Sequence, residues 1–242
     1  DVGLGKTIEA GLVIQELLLR HRARSVVIVC PPSLIIKWQE EMREKFGLDF
    51  TIVDSACLAD VRRRQGLAEN PFRLFPRIIV SMAWLAKARA QRLLRDVYGP
   101  EKSDPATAAR HAFDVLVVDE AHMYKNLSTD SKKSAAKVAG SQAATDLELK
   151  MQFLRDQHGA RVATFATATP ISNSITEAHV MQRYLRPDLL EQAGLHSFDA
   201  WLNTFTVDTP GMEVSPTGQF RMKSRLKFTN MPDMMKMWHV FA

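Results

Sequence analysis

Cysteine is scarce in this sequence. There are two among 242 residues, Cys30 and Cys57. No Cys-x-x-Cys spacing relates them, so the sequence supports neither a thiolate metal site nor a disulfide framework. Both are expected to be buried, reduced thiols, Cys30 at the end of an apolar strand. Long apolar runs are also missing. No stretch approaches the ~18 residues that a transmembrane helix needs, and no signal-peptide pattern is present, so no membrane partner is expected. Internal repeats and low-complexity segments are absent as well. What remains is a globular composition, 46% hydrophobic and 24% charged, long enough for one large domain or a domain with an appendage. The net charge of +5 tilts the chain towards a polyanionic partner.

The most informative stretch is Asp1-Val2-Gly3-Leu4-Gly5-Lys6-Thr7. A glycine-rich turn that ends in Gly-Lys-Thr and opens a helix aims backbone N–H groups at one point, where the helix dipole favours phosphate. Gly3 and Gly5 permit backbone conformations and close approaches that a Cβ would block. Lys6 can reach β/γ-phosphates and the Thr7 hydroxyl can ligate Mg²⁺. Gly3, Leu4, Gly5, Lys6, Thr7 and Ile8 thus form the expected nucleotide-binding stretch. The complete pattern wants a small residue five positions before Gly5, which would precede Asp1. The chain is therefore expected to start inside the motif and to be a piece of a longer protein.

Apolar residues at helical spacing predict a helix from Thr7 to Arg20, followed by a fully apolar strand, Ser25–Cys30. Pro31-Pro32-Ser33 ends that strand, and Ser33 is expected to cap a helix running through Trp38 to about Phe46. Further strands are predicted at Phe50–Val53 and Arg77–Ser81, with a polar helical stretch containing Arg62, Arg63 and Arg64 between them. Ala83–Val97 reads as one helix and Tyr98–Pro105 as a loop. Asp114–Val118 and Arg161–Ala166 are strands that run straight into Asp119-Glu120-Ala121-His122 and Thr167-Ala168-Thr169-Pro170. A helix follows Ser174 and ends at Pro187. Pro210-Gly211 and Pro216-Thr217-Gly218 are expected to bracket a loop, Phe220–Phe228 alternates roughly, and Met231–Phe241 reads as a helix. Strands alternating with helices predict an α/β fold with a doubly wound, mainly parallel sheet and ligands at the carboxyl ends of its strands.

Hydrolysis of a phosphoanhydride needs a phosphate cradle, a carboxylate-held Mg²⁺ and a group that orients water. Asp119 at a strand end is the metal candidate and Glu120 the water-polarising candidate. An isolated acidic pair would ordinarily be a solvated strand end. Its order after Gly-Leu-Gly-Lys-Thr and before Thr-Ala-Thr-Pro in one α/β chain favours an NTPase.

These residues resemble a known family. Asp1–Thr7 is similar to motif I of superfamily 2 helicases, Asp119–His122 to motif II (the DEAH box), and Thr167–Pro170 to motif III. Val2 to Gly11, together with Cys30-Pro31-Pro32-Ser33-Leu34 and Trp38, resembles the SNF2 branch, particularly its bacterial members. Asp119–Leu127, Thr169–Ser174 and Met181–Leu185 resemble the helicase part of large bacterial or phage proteins that also carry a DNA methylase domain. The resemblance covers residues 1–190 well and the rest loosely. It implies a RecA-like P-loop ATP-binding lobe over residues 1–190, with 191–242 as an extension or the start of an inter-lobe insertion. It also implies ATP and Mg²⁺ as cofactors, duplex DNA as partner, and a second RecA-like lobe elsewhere. By position, Lys6 and Thr7 bind phosphate and Mg²⁺, Asp119 binds Mg²⁺, and Glu120 is the catalytic base. His122, Thr167 and Thr169 couple nucleotide state to DNA, while Pro32, Ser33 and Ser81 lie near the DNA backbone. The implied activity is ATP hydrolysis coupled to movement along DNA, in a bacterial or phage-encoded cytoplasmic protein. No arginine-bearing second lobe follows, so the chain alone is expected to be nearly inactive. Three alternatives stay open: the motor of a restriction or phage-defence system with a nuclease or methylase domain, a non-hydrolysing nucleotide-gated DNA-binding module, and a scaffold with a vestigial loop.

Overall fold

The computed structural model describes residues 5–98, 113–129, 131, 138–172, 174–214 and 220–241. Five parallel strands form the main sheet: β1 (Val26–Cys30), β2 (Thr51–Ile52), β3 (Arg77–Ser81), β4 (Val115–Asp119) and β5 (Ala163–Ala166), in the spatial order β2-β3-β1-β4-β5. From β1 the chain first reaches the far edge of one side at β2, fills the gap with β3, and then crosses to add β4 and β5 on the other side. The order therefore reverses beside β1, and the carboxyl edge at such a reversal is where open α/β sheets leave a crevice.

The central strands are apolar because both faces are covered: every residue of β1 and β4 is buried. In the parallel register Val26, Ile28, Val115 and Val117 share one face, and there they pack against Ala10 and Ile14 of α1 (Lys6–Leu19) and Trp38 and Met42 of α2 (Ile35–Phe46). Asp119 continues that same alternation, so β4 delivers its carboxylate to the α1–α2 face. Gly11 lets α1 and α2 approach, since a Cβ there would meet the Phe46 ring at 2.2 Å.

The chain divides into two compact units, Asp1–Ala121 with Gln152–Ala168, and His122–Met151 with Thr169–Ala242. The first holds the sheet, along with α3 (Ser55–Gln65), α4 (Pro71–Leu74), α5 (Met82–Leu85) and α6 (Ala88–Tyr98). The residues of α7 (Gln142–His158) are shared between the units at Met151. The second unit has α8 (Thr176–Leu185), α9 (Pro187–Gln192), α10 (Phe198–Phe205), an antiparallel ribbon of β6 (Thr206–Val214) and β7 (Phe220–Phe228), and α11 (Met231–Trp238). Its core gathers Ala178, Leu190, Phe198, Trp201, Phe205 and Met234. The boundary expected at residue 190 falls within this second unit.

Several local expectations are corrected. Ser33 caps nothing: it sits exposed in a 3₁₀ turn, Pro32–Leu34, and α2 starts at Ile35 without a side-chain cap. Ala83–Val97 is broken into α5, which the Ser81 hydroxyl caps at its start and which closes at Ala86, and α6. Pro187 both ends α8 and opens α9, where its missing N–H costs nothing at the first helical position. Pro210 and Gly211 lie inside β6, not in a loop. A two-stranded ribbon leaves one side of each strand unpaired, which is where proline is tolerated. Cys57 is half-exposed; Cys30 is fully buried, its thiol pushed up to about 12 by burial and secondarily by the Asp119 charge, so it is an inert packing group. Gly99–Pro105 and Pro216-Thr217-Gly218 lie outside the described residues.

Candidate functional site

Gly5 stands at the head of α1 with φ 79°, in the left-handed region that glycine adopts without strain, and its carbonyl accepts from the Ile8 and Glu9 N–H groups. No side chain caps this end of α1. Its first N–H groups therefore offer donors and the positive end of the helix dipole to an anion. Lys6 and Thr7 occupy the first two helical positions, both half-buried.

Lys6 Nζ lies 3.2 Å from Glu120 Oε1, bringing together two residues 114 apart in sequence. Both side chains are about a quarter exposed, at 24% and 28%, so the pair is worth at most about 1 kcal/mol. Such a pair is readily broken when a multiply charged anion arrives. Glu120 has φ 51°, a left-handed conformation that costs a non-glycine residue roughly 1–2 kcal/mol and turns the chain sharply off the sheet.

Asp119 is buried, at 5% exposure. Its Oδ2 accepts from Trp38 Nε1 at 2.8 Å and its Oδ1 from the Glu120 N–H at 2.9 Å. Two donors on two oxygens fix the plane of the carboxylate and leave a lone pair on each oxygen for a cation or its water. Trp38, at 1% exposure, is thus more than a core residue. Its indole reaches 81 positions along the chain to hold the carboxylate. The signal available in the sequence was its place after Pro-Pro-Ser, but not its target.

The expected metal is compatible with this donor set. Among the described residues no three His, Cys, Asp or Glu side chains cluster as a metal cage. Mg²⁺ does not need one, because it keeps several waters and takes one or two carboxylates plus substrate phosphates. Asp119 and the Thr7 hydroxyl are the groups that would hold it.

The other candidates fall as follows. Gly3 and Leu4 lie outside the described residues. Ile8 is half-buried in the first turn of α1. Pro32 and Ser33 are exposed just beyond β1, whereas Ser81 is buried and its Oγ accepts from the Trp84 N–H at 3.0 Å, leaving only its hydroxyl proton to give. Thr167, half-buried, follows β5 in the first unit. His122, half-buried, and Thr169, exposed, belong to the second unit.

Within that unit a network ties the two motif tails together. Lys125 Nζ lies 3.1 Å from Glu177 Oε1 and 2.7 Å from Ser172 Oγ, while Glu177 Oε2 accepts from the Ser172 N–H at 2.6 Å. The Tyr184 hydroxyl lies 3.1 Å from the Tyr124 carbonyl and 2.9 Å from that of Ala144. The stretches Asp119–Leu127, Thr169–Ser174 and Met181–Leu185 were separate strings in the sequence. Lys125, Ser172, Glu177 and Tyr184 are the residues that connect them.

A parallel sheet with its carboxylate pair on the strand beside the reversal point defines the class: a RecA-like α/β lobe. Residues 1–143 match the model of the SNF2-related domain, and residues 87–241 match that of a probable helicase domain. The chain belongs to the SNF2-related domain family. Its curated relatives include RNA polymerase-associated protein RapA of Histophilus somni, 37% identical over 123 residues, and that of Stutzerimonas stutzeri, 42% identical over 123 residues. In each case the match covers 50% of this chain and 11% of the relative. Among solved structures, the Sulfolobus solfataricus SWI2/SNF2 ATPase core in complex with dsDNA is 18% identical with a TM-score of 0.49, covering 85% of this chain and 33% of that one.

Proposed function

We propose that this chain is the ATP-binding lobe of an SNF2-like motor, which hydrolyses ATP with Mg²⁺ and couples the reaction to movement along duplex DNA. The observation that carries the reading is the convergence of the uncapped α1 terminus, Lys6, Asp119 and Glu120 at one edge of the sheet.

In this reading the backbone from Gly5 to Ile8 and the Lys6 ammonium bind the β/γ-phosphates. Lys6 leaves Glu120 as it does so, because an anion at the helix terminus offers more charge than one half-exposed carboxylate. Glu120, released, accepts a proton from the attacking water. Thr7 and Asp119 hold Mg²⁺, which when bound neutralises charge on the phosphate oxygens. Trp38 keeps the Asp119 carboxylate in the plane that this requires. His122, Thr167 and Thr169 transmit nucleotide state, and the exposed Pro32 and Ser33 lie near the DNA backbone, whereas Ser81, expected there too, is buried and caps α5. A second RecA-like lobe supplies the remaining positive charge to the γ-phosphate.

The test is Lys6→Ala in a protein carrying both lobes. A methyl cannot offset phosphate charge, so nucleotide affinity should drop and DNA-stimulated hydrolysis should fall by ~10²-fold or more. A clamp that binds DNA without turnover would instead show nucleotide-dependent DNA affinity and no phosphate release from the unmodified protein.

A further inference from the structure

The chain passes between its two units after Ala121, Met151 and Ala168. Lys125 and Ser172 lie just beyond the first and last of these points, and Ala144 and Glu148 of α7 lie just before the middle one. One helix of the second unit, α8, holds all three segments. At its carboxyl end the Tyr184 hydroxyl is within hydrogen-bond distance of the Tyr124 and Ala144 carbonyls, and Arg183 Nε meets Glu148 Oε1 at 2.5 Å. At its amino end Glu177 takes three donors. Lys125 Nζ lies 3.1 Å from Oε1, while the Ser172 N–H and hydroxyl donate to Oε2 at 2.6 and 3.2 Å. The Ser172 hydroxyl also accepts from Lys125 Nζ at 2.7 Å, so the three side chains close a triangle.

A carboxylate in the first turn of a helix ordinarily serves the end of its own helix. Glu177 reaches outside it, to Ser172 before α8 and to Lys125, which is 47 positions before Ser172. The Glu177 side chain is 6% exposed and that of Lys125 18%, so this pair is shielded from water and salt in a way that exposed ion pairs are not. The helix beneath it has little room to yield, since Thr176 to Gln182 and Tyr184 are all buried. Only the 3₁₀ turn Ala121–Tyr124 separates Glu120 from Lys125, and only Pro170 and Ile171 separate Thr169 from Ser172. We propose that Glu177 is a positioning residue that couples these two segments. By clamping Lys125 and Ser172 on one rigid helix, it passes a displacement of the chain leaving Glu120 to the chain leaving Thr169. The inference rests on the reading of the chain as a DNA motor and adds to it the residue that joins the two segments. Glu177 takes no part in the phosphate chemistry itself.

The experiment places Lys125→Met and Glu177→Leu, singly and together, in a protein carrying both lobes, and measures melting temperature and ATP hydrolysis with and without saturating duplex DNA. Each single change leaves a shielded charge without its partner, so each should lower the melting temperature; the double change replaces the pair by apolar side chains and should recover most of that loss. DNA-stimulated hydrolysis should fall roughly 10-fold in all three variants, while the rate without DNA and the KM for ATP stay unchanged. If Glu177→Leu alone does not fold, the double variant, which leaves neither charge behind, carries the test. Stimulation that returns together with the melting temperature in the double variant would make the triangle a packing device and overturn the proposal. So would stimulation retained in folded variants, or an equal fall in the rate without DNA, and either result leaves the motor reading intact. Absence of any DNA stimulation in the unmodified two-lobe protein would defeat the motor reading itself, and the coupling inference with it.

Discussion

Two buried side chains outside the reacting groups can be tested singly. Trp38→Phe keeps the ring packed in the core but removes the donor to Asp119 Oδ2. A buried carboxylate that loses a partner costs about 1–3 kcal/mol, so the melting temperature should fall. If Asp119 holds the metal, the Mg²⁺ concentration needed for nucleotide binding should rise several-fold. An unchanged Mg²⁺ requirement would return Trp38 to a packing role. His179 poses a different question. It is 1% exposed, packed against both the Phe198 and Trp201 rings, and neither ring nitrogen has a hydrogen-bond partner among the described residues. Burial, and secondarily the charge on Arg183, lowers its pKa from 6.5 to about 4. Between those values the unfolded chain binds a proton that the folded chain refuses. Stability is therefore full above pH 6.5, falls as the pH drops towards 4, and levels off below that. The integrated loss is on the order of 3 kcal/mol. Denaturant titrations at pH 7 and pH 4.5 should show this loss, and His179→Leu should remove most of it. An equal acid sensitivity in His179→Leu would assign the effect to other groups.

At the scale of elements, the packing of α1 on α2 sets helix propensity against steric fit. Gly11→Ala should gain up to about 1 kcal/mol in helix propensity, yet its Cβ would meet Phe46 at 2.2 Å, and overpacking of this kind typically costs about 1–3 kcal/mol. We expect net destabilisation in thermal unfolding, relieved by adding Phe46→Leu. A stabilised single variant would mean that the helices can separate without penalty. Legibility in the sequence divides along similar lines. β1 and β4 could be read directly, because a strand buried on both faces must be apolar throughout and Val26–Cys30 and Val115–Val118 are. The three motif strings stood out through their order in one α/β chain, since an acidic pair alone is ordinarily a solvated strand end. β6 was hidden by Pro210 and Gly211, residues that signal turns in most contexts but are tolerated in a ribbon with a free side. The helix α7 was missed, although Ala144, Leu147, Met151 and Leu154 lie at helical spacing and all four are buried. The pairings Trp38–Asp119, Lys6–Glu120 and Lys125–Glu177 lay beyond any local pattern, since each joins residues separated by dozens of positions and depends on the completed fold.

For the whole molecule, membership of the SNF2-related domain family accounts for the sheet and for the order of its motifs. No described helix is long and apolar enough to cross a membrane. The two units divide the proposed labour. Lys6, Asp119 and Glu120 lie in the first, with the phosphate chemistry, while His122 and Thr169 lie in the second. The central claim is that Glu120 takes the proton from water while Asp119 holds the metal. It is tested most directly by measuring Mg·ATP affinity and DNA-stimulated phosphate release for Glu120→Gln and Asp119→Asn in a protein carrying both lobes. Glu120→Gln should keep nucleotide affinity within a few-fold while turnover falls by ~10²–10⁴-fold, the usual contribution of a general base. Asp119→Asn should weaken Mg²⁺-dependent binding and turnover together. Equal losses of binding in both variants, or turnover by Glu120→Gln near the unmodified rate, would contradict the account.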